Sequence, residues 1–124
     1  MRDHRKLKAF ELADKLVILI YRATREFPRE EQFGLSAQLR RAALSAASNI
    51  VEGCARHSEA DYLRFLDMAY GSICEAQYQV SVAERLGYFK DGQVTGLKDA
   101  GTETSKALNG LIRSLRRASA EYEA

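Results

Sequence analysis

Tryptophan is absent from the 124 residues, proline occurs once, and cysteine, methionine and histidine occur twice each. A single proline, together with 46% apolar and 29% charged residues, excludes a proline-rich linker and an intrinsically disordered chain. Cys54 and Cys74 are too few for a disulfide framework and lack the close spacing and histidine partners of a zinc site, so both read as free thiols. His4 and His57 belong to no HExxH motif and no nucleophile constellation. A glycine-rich phosphate loop, the Glu-x-x-His pairs of a di-iron bundle, and an arginine followed four to six residues later by histidine are missing as well. The expectation is a protein that is not an enzyme and needs no cofactor or metal.

Long apolar runs are also lacking. The uncharged stretch Leu16 to Tyr21 of the first helical segment is far shorter than the ~20 residues that cross a bilayer. The basic start, Met1 to Lys8, is not followed by the apolar core and small-residue cleavage site of a secretory signal. No membrane partner and a cytoplasmic location are expected. Charge of one sign is scarce too: nineteen Lys and Arg against seventeen Asp and Glu leave +2, too little to mark a polyanion-binding protein by itself.

What the chain does have is apolar spacing of three and four along nearly its whole length, which predicts an all-α protein. The first segment carries Phe10, Ala13, Val17, Ile20, Thr24 and Phe27, widened by Leu12, Leu16 and Leu19, and is stopped by Pro28. The second runs through Leu35, Leu39, Ala43, Ala46 and Ile50 to a cap at Gly53, with small residues in its middle that let a neighbour approach closely. Ser58 caps the third, whose seam is Tyr62, Leu66, Ala69, Ile73, Ala76, Val80 and Ala83, with Gly87 ending it. The fourth repeats Val94, Leu97, Gly101, Thr104, Leu108, Leu111, Leu115, Ala118 and Tyr122. The predicted helices span about 8–27, 33–53, 59–86 and 91–120. Short turns between long helices imply one domain, 1–124, an antiparallel up-down-up-down four-helix bundle.

The third segment holds more apolar residues than one stripe requires. Tyr62, Phe65, Met68, Tyr70 and Tyr78 are therefore expected to lie under a neighbouring subunit, against the alternative of a thick core with a few exposed aromatics. Gly71, inside the same helix, is expected to pack closely on the small face of the second.

Between Phe27 and Arg56 the sequence reads FPREEQFGLSAQLRRAALSAASNIVEGCAR, followed by Phe65-Leu66, Ala69-Tyr70-Gly71-Ser72 and Glu75. The pieces FP then E, Gly34-Leu35, Gln38, Arg40-Arg41-Ala42, Ser45, Ser48-Asn49-Ile50, Glu52-Gly53 and Arg56 resemble the four-helix-bundle family of 23S rRNA intervening-sequence proteins. The resemblance covers roughly residues 10 to 88, and the fourth helix matches in pattern only. It implies a ring-like homo-oligomer, a pentamer, and kinship with the accessory proteins of reverse transcriptases in diversity-generating retroelements. Those relatives suggest RNA or DNA bound on a basic surface. Ala47 stands where the family often has proline, and the first helix lacks a frequent tryptophan.

Candidate phosphate contacts follow from where the cations sit. Arg2, Arg5, Lys6 and Lys8 face one acid, Asp3, and Arg113, Arg116 and Arg117 lie in an acid-free stretch of the fourth helix. In an up-down-up-down bundle both clusters fall at one end. Arg40, Arg41 and Arg56 are candidates through the bidentate guanidinium fork, against the alternative that Arg40 or Arg41 pairs with Glu75 or Glu52. Asn49 suits an inter-helix or capping hydrogen bond better than base reading. Two functions remain open: a nucleic-acid-binding accessory or scaffold, and a protein-interaction module whose partner is another protein.

Overall fold

The computed structural model describes residues 2–123, and of Tyr122 and Glu123 the backbone alone, so the last position of the expected fourth seam lies outside the described side chains. Four helices carry the fold: α1 (Lys8–Thr24), α2 (Leu35–Cys54), α3 (Glu59–Arg85) and α4 (Gln93–Glu123). Single 3-10 turns occupy His4–Lys6 and Arg29–Glu31, and the described residues contain no strand.

Local chemistry sets each boundary. After Thr24 the N–H groups of Glu26 and Phe27 donate to the carbonyls of Ala23 and Thr24, so α1 tightens into a turn and stops short of residue 27. Pro28 opens the next 3-10 turn, and Glu31 at its end turns its carboxylate onto the Leu35 N–H at 3.0 Å, which starts α2 at Leu35 rather than 33. Ser58 caps α3 through its side-chain oxygen, which accepts from the Asp61 N–H at 3.1 Å. At the other end Gly87, with φ at +75°, lets its own N–H reach the Glu84 carbonyl and the Tyr88 N–H reach that of Ala83. This left-handed closure satisfies two orphan carbonyls, and a side chain at Gly87 would resist it.

Each helix touches two others: α1 meets α2 and α4, and α3 meets α2 and α4. Arg41 reaches Glu75, Ser45 meets Ser72, and Gly53 sits beneath Phe65. On the other flank Lys98 pairs with Glu84 and Arg116 with Asp67. The chain start closes on the end of α2, where the Arg2 N–H donates to the Cys54 carbonyl at 3.1 Å. Arg2, the α2–α3 turn and the last turns of α4 therefore share one end of the molecule.

The core lies between all four helices. Leu16, Ile20, Leu39, Ile50, Leu66, Ile73 and Leu108 are wholly enclosed, each contributing about 1.5–3 kcal/mol through burial. The α3 seam is buried at every expected position, and Ala42, Ala43, Ala46 and Ala47 are buried on α2. On α4 the buried set is Leu97, Ala100, Gly101, Thr104, Leu108 and Ile112, while Leu111 and Leu115 are half-buried and Ala118 is exposed. The expected seam thus drifts by a residue past Leu108, as a straight 3.6-residue helix does against a strict heptad.

The close packing expected of Gly71 belongs instead to Gly53, which lies within α2 with Ala55 as the cap that Gly53 was expected to be. A Cβ on Gly53 would stand 2.9 Å from the Phe65 Cβ and 3.3 Å from the Tyr62 ring, whereas one on Gly71 would meet nothing within 4 Å. Gly71 is exposed, so close packing on α2 does not account for it.

Two expected outcomes follow. Gly53→Ala should lower stability by about 1–2 kcal/mol through overpacking, while Gly71→Ala should raise it by about 0.5–1 kcal/mol through helix propensity. Urea unfolding midpoints check both, and equal shifts of one sign would contradict this packing. The second outcome concerns Glu31, whose carboxyl is held below its ordinary value of 4.5 by the Leu35 N–H and then by the Tyr88 hydroxyl. A depressed folded-state pKa stabilises the fold in full above the unfolded value and is lost as pH falls through the folded one. Glu31→Gln should therefore flatten the stability curve below about pH 4.5. Urea midpoints across that range test this, and an unchanged acid limb would refute it.

Candidate nucleic-acid interface

The end that holds the chain start is built on two aromatic rings. The Arg2 guanidinium lies 3.9 Å from the Tyr62 ring centre, and its Nη1 donates to the Arg56 carbonyl at 3.4 Å. Arg56 and Arg64 lie over the Phe65 ring at 4.8 and 4.7 Å. A guanidinium on an aromatic face gains from the ring's negative quadrupole and is held in place by it. The rings owe their position to Gly53, whose bare backbone lets α3 come close enough to seat Tyr62 and Phe65 over the end of α2.

That geometry corrects the expected subunit interface. Tyr62 is 2% exposed and Phe65 7% within the single chain, so neither requires a neighbour to cover it. Tyr70 is half-buried against the core. Met68 and Tyr78, at 40% and 65% exposed, are the members of the set that remain on the surface. Burial also pushes the Tyr62 hydroxyl up to about 12 and raises the Cys54 thiol beside it. Cys54 is thereby a protonated core thiol and a poor nucleophile.

The cations at this end divide into neutralised and open groups. Arg5 folds back on Asp3, with Nε and Nη2 at 3.0 and 3.1 Å from its oxygens, and this hydrogen bonding lowers the Asp3 pKa. Lys8 stands 3.6 Å from Glu11, and Arg116 pairs with Asp67 across the α3–α4 groove. Arg2, Lys6, Arg56, Arg113 and Arg117 make no ion pair with a carboxylate among the described residues. The last two are exposed on the final turns of α4, where every residue from Arg116 to Glu121 is exposed. Arg64, which pairs with Asp61 at 3.6 Å, was not anticipated from sequence; its place beside Phe65 on the face of Arg56 is the signal that marks it.

Arg40 and Arg41 belong elsewhere. Arg40 sits at the α1–α2 end, where its Nε donates to Thr24 Oγ1 at 2.8 Å, its Nη2 to the Tyr21 carbonyl at 3.4 Å, and its plane covers the Tyr21 ring. Arg41 pairs with Glu75 at 2.8 Å and with Gln38 Oε1, as the carboxylate alternative anticipated. Ser45 meets Ser72 of α3 at 3.1 Å, whereas Asn49 donates to Ser45 one turn back on its own helix at 3.2 Å, so the hydrogen bond of that asparagine is neither inter-helix nor a cap. The described residues contain no cluster of His, Cys, Asp and Glu suited to a metal, and no helix long and apolar enough to cross a membrane.

No curated protein matches the chain. Among solved structures it resembles a protein of unknown function from the S23 ribosomal protein family of Bacteroides thetaiotaomicron. The two superpose with a TM-score of 0.77 at 24% identity, over 85% of this chain and 95% of the other, which establishes a common fold. The sequence model of the 23S rRNA-intervening sequence proteins matches residues 5–110, a span that takes in α1, α2, α3 and more than half of α4. By that match, with the helices it covers standing as the resemblance implied, the chain belongs to the 23S rRNA-intervening sequence protein family.

Proposed function

We propose that this protein is a non-enzymatic accessory or scaffold that binds RNA or DNA through backbone phosphates. The contacts are assigned to the basic end formed by Arg2, Lys6, Arg56, Arg113 and Arg117. The observation that supports the reading is that these five cations, distant in sequence, share one end and lack carboxylate partners among the described residues. Guanidinium groups of this kind bind phosphate oxygens in a bidentate fork, and each neutralised phosphate releases counterions. The rings of Tyr62 and Phe65 are covered, so the surface offers charge without exposed stacking platforms, and binding is indifferent to base sequence.

In the same proposal the four helices, in up-down-up-down order, make one domain that is the protomer of a ring-like homopentamer in the cytoplasm. Its kinship is to the accessory proteins of diversity-generating retroelements. Symmetry would repeat the basic end around the ring and strengthen its field beyond what a net charge of +2 suggests. Met68 and Tyr78 are its interface candidates. A rival reading, a protein-interaction module with no nucleic-acid role, draws support from Phe33, an 88% exposed aromatic next to the start of α2.

Binding to a mixed-sequence RNA separates the two readings. Affinity should fall steeply between about 50 and 200 mM salt, and Arg113→Gln with Arg117→Gln should flatten the slope of log K against log salt by about one unit per lost contact. Stability should stay within about 0.5 kcal/mol of the parent, because both side chains are exposed. No binding at low salt would eliminate the nucleic-acid reading. Light scattering tests the assembly: a multiple of the chain mass is expected, reduced by Met68→Glu with Tyr78→Glu, and a monomer at micromolar concentration would end the ring proposal.

A further inference from the structure

The end opposite the proposed interface holds a second basic feature of a different kind. Where α1 gives way to α2, a cavity of about 260 Å³ opens between Thr24, Arg25, Arg29, Gln32, Ser36 and Arg40, over Phe27 and Pro28. Three guanidinium groups line it and no carboxylate does. The nearest acids in sequence are turned to other tasks. Glu26 pairs with Lys90, and Glu31 is engaged by the Leu35 N–H and the Tyr88 hydroxyl, while Glu30 is exposed on the 3-10 turn.

Two features show that the cavity is organised. Arg40 is fixed in its wall by Thr24 Oγ1, the Tyr21 carbonyl and the Tyr21 ring, which occupy Nε and one Nη2 donor and leave its Nη1 donors unassigned. Ser36, which is 6% exposed, also lines the cavity and adds a hydroxyl to its polar wall. The backbone adds a donor at the same place. Of the first N–H groups of α2, that of Leu35 is taken by Glu31 and that of Gln38 by the Gly34 carbonyl, leaving that of Ser36, which lines the cavity.

We propose that this cavity binds a phosphate group, as inorganic phosphate or as a phosphomonoester. The donor set is one preorganised guanidinium, two adjustable ones on Arg25 and Arg29, a hydroxyl and a helix-terminal N–H group. It matches the several oxygens and double negative charge of phosphate better than the two oxygens of a carboxylate. The inference is independent of the nucleic-acid reading, whose residues lie at the other end.

Titration calorimetry of the intact protein with inorganic phosphate, against chloride at equal ionic strength, is the direct test. One phosphate per chain is expected. Arg25→Gln with Arg29→Gln should weaken it by about tenfold or more, the effect of losing charge-assisted hydrogen bonds, and Ser36→Ala should weaken it by a smaller factor. Neither variant removes a contact that holds the helices together, and Arg113→Gln with Arg117→Gln should leave phosphate affinity unchanged even if RNA binding is lost. A 5′-phosphorylated trinucleotide compared with its 5′-hydroxyl form identifies the source. Binding of the phosphorylated form alone, with weaker binding of free phosphate, assigns a phosphomonoester, and equal binding of free phosphate assigns the inorganic ion. No heat above the chloride control, or undiminished binding in the arginine variant, would overturn the proposal.

Discussion

The closeness of α2 to α3 is the constraint on which the rest of this molecule depends. It is made possible by what α2 lacks: Ala42, Ala43, Ala46 and Ala47 present only methyl groups and Gly53 presents none. Larger side chains would push the helices apart and separate Ser45 from Ser72 and Arg41 from Glu75. The same proximity sets Tyr62 and Phe65 over the end of α2, and those rings in turn hold Arg2, Arg56 and Arg64. Packing inside the bundle therefore determines where charge stands on its surface.

The seam of α3 was fully legible in the sequence, because its residues from Tyr62 to Ala83 face the core between α2 and α4 and periodicity alone decides which are buried. Helix ends were less legible. Thr24 and Leu35 bound their helices through turn hydrogen bonds and through a carboxylate that caps from outside the helix, and neither leaves a periodic trace. The surplus aromatics of α3 were readable as surplus but not in their destination. Phe65 lies off the seam and is nevertheless buried, because a glycine on another helix makes room for it. Gly71 and Gly53 look alike in sequence, and only their surroundings tell them apart.

Of the candidate site, the two terminal clusters were legible as charge, while their sorting into paired and open groups was not. Asp3 neutralises Arg5 within a single turn, a proximity evident in the chain, but Asp67 meets Arg116 only because α3 and α4 lie side by side. Arg40 and Arg41, adjacent in sequence, point to different neighbours, one to Thr24 of α1 and one to Glu75 of α3. A helix turns about 100° per residue, so consecutive side chains leave on different faces. The chemistry of a doublet like this belongs to the two grooves it divides.

The loops at the Arg40 end are fastened to each other. Phe27 stacks against Tyr88 and Phe89, with ring centres 5.3 Å apart in both pairs, Glu31 accepts from the Tyr88 hydroxyl at 2.7 Å, and Lys90 pairs with Glu26. The segment between α1 and α2 is thereby latched to the segment between α3 and α4, two connections far apart in the chain. At the opposite end α4 runs on past its last buried residue, Ile112, with its final turns in solvent. The bundle is thus latched loop to loop at one pole, while at the other, where Cys54 and Tyr62 are still buried, α4 alone reaches beyond the core and its last turns gain no stability from it.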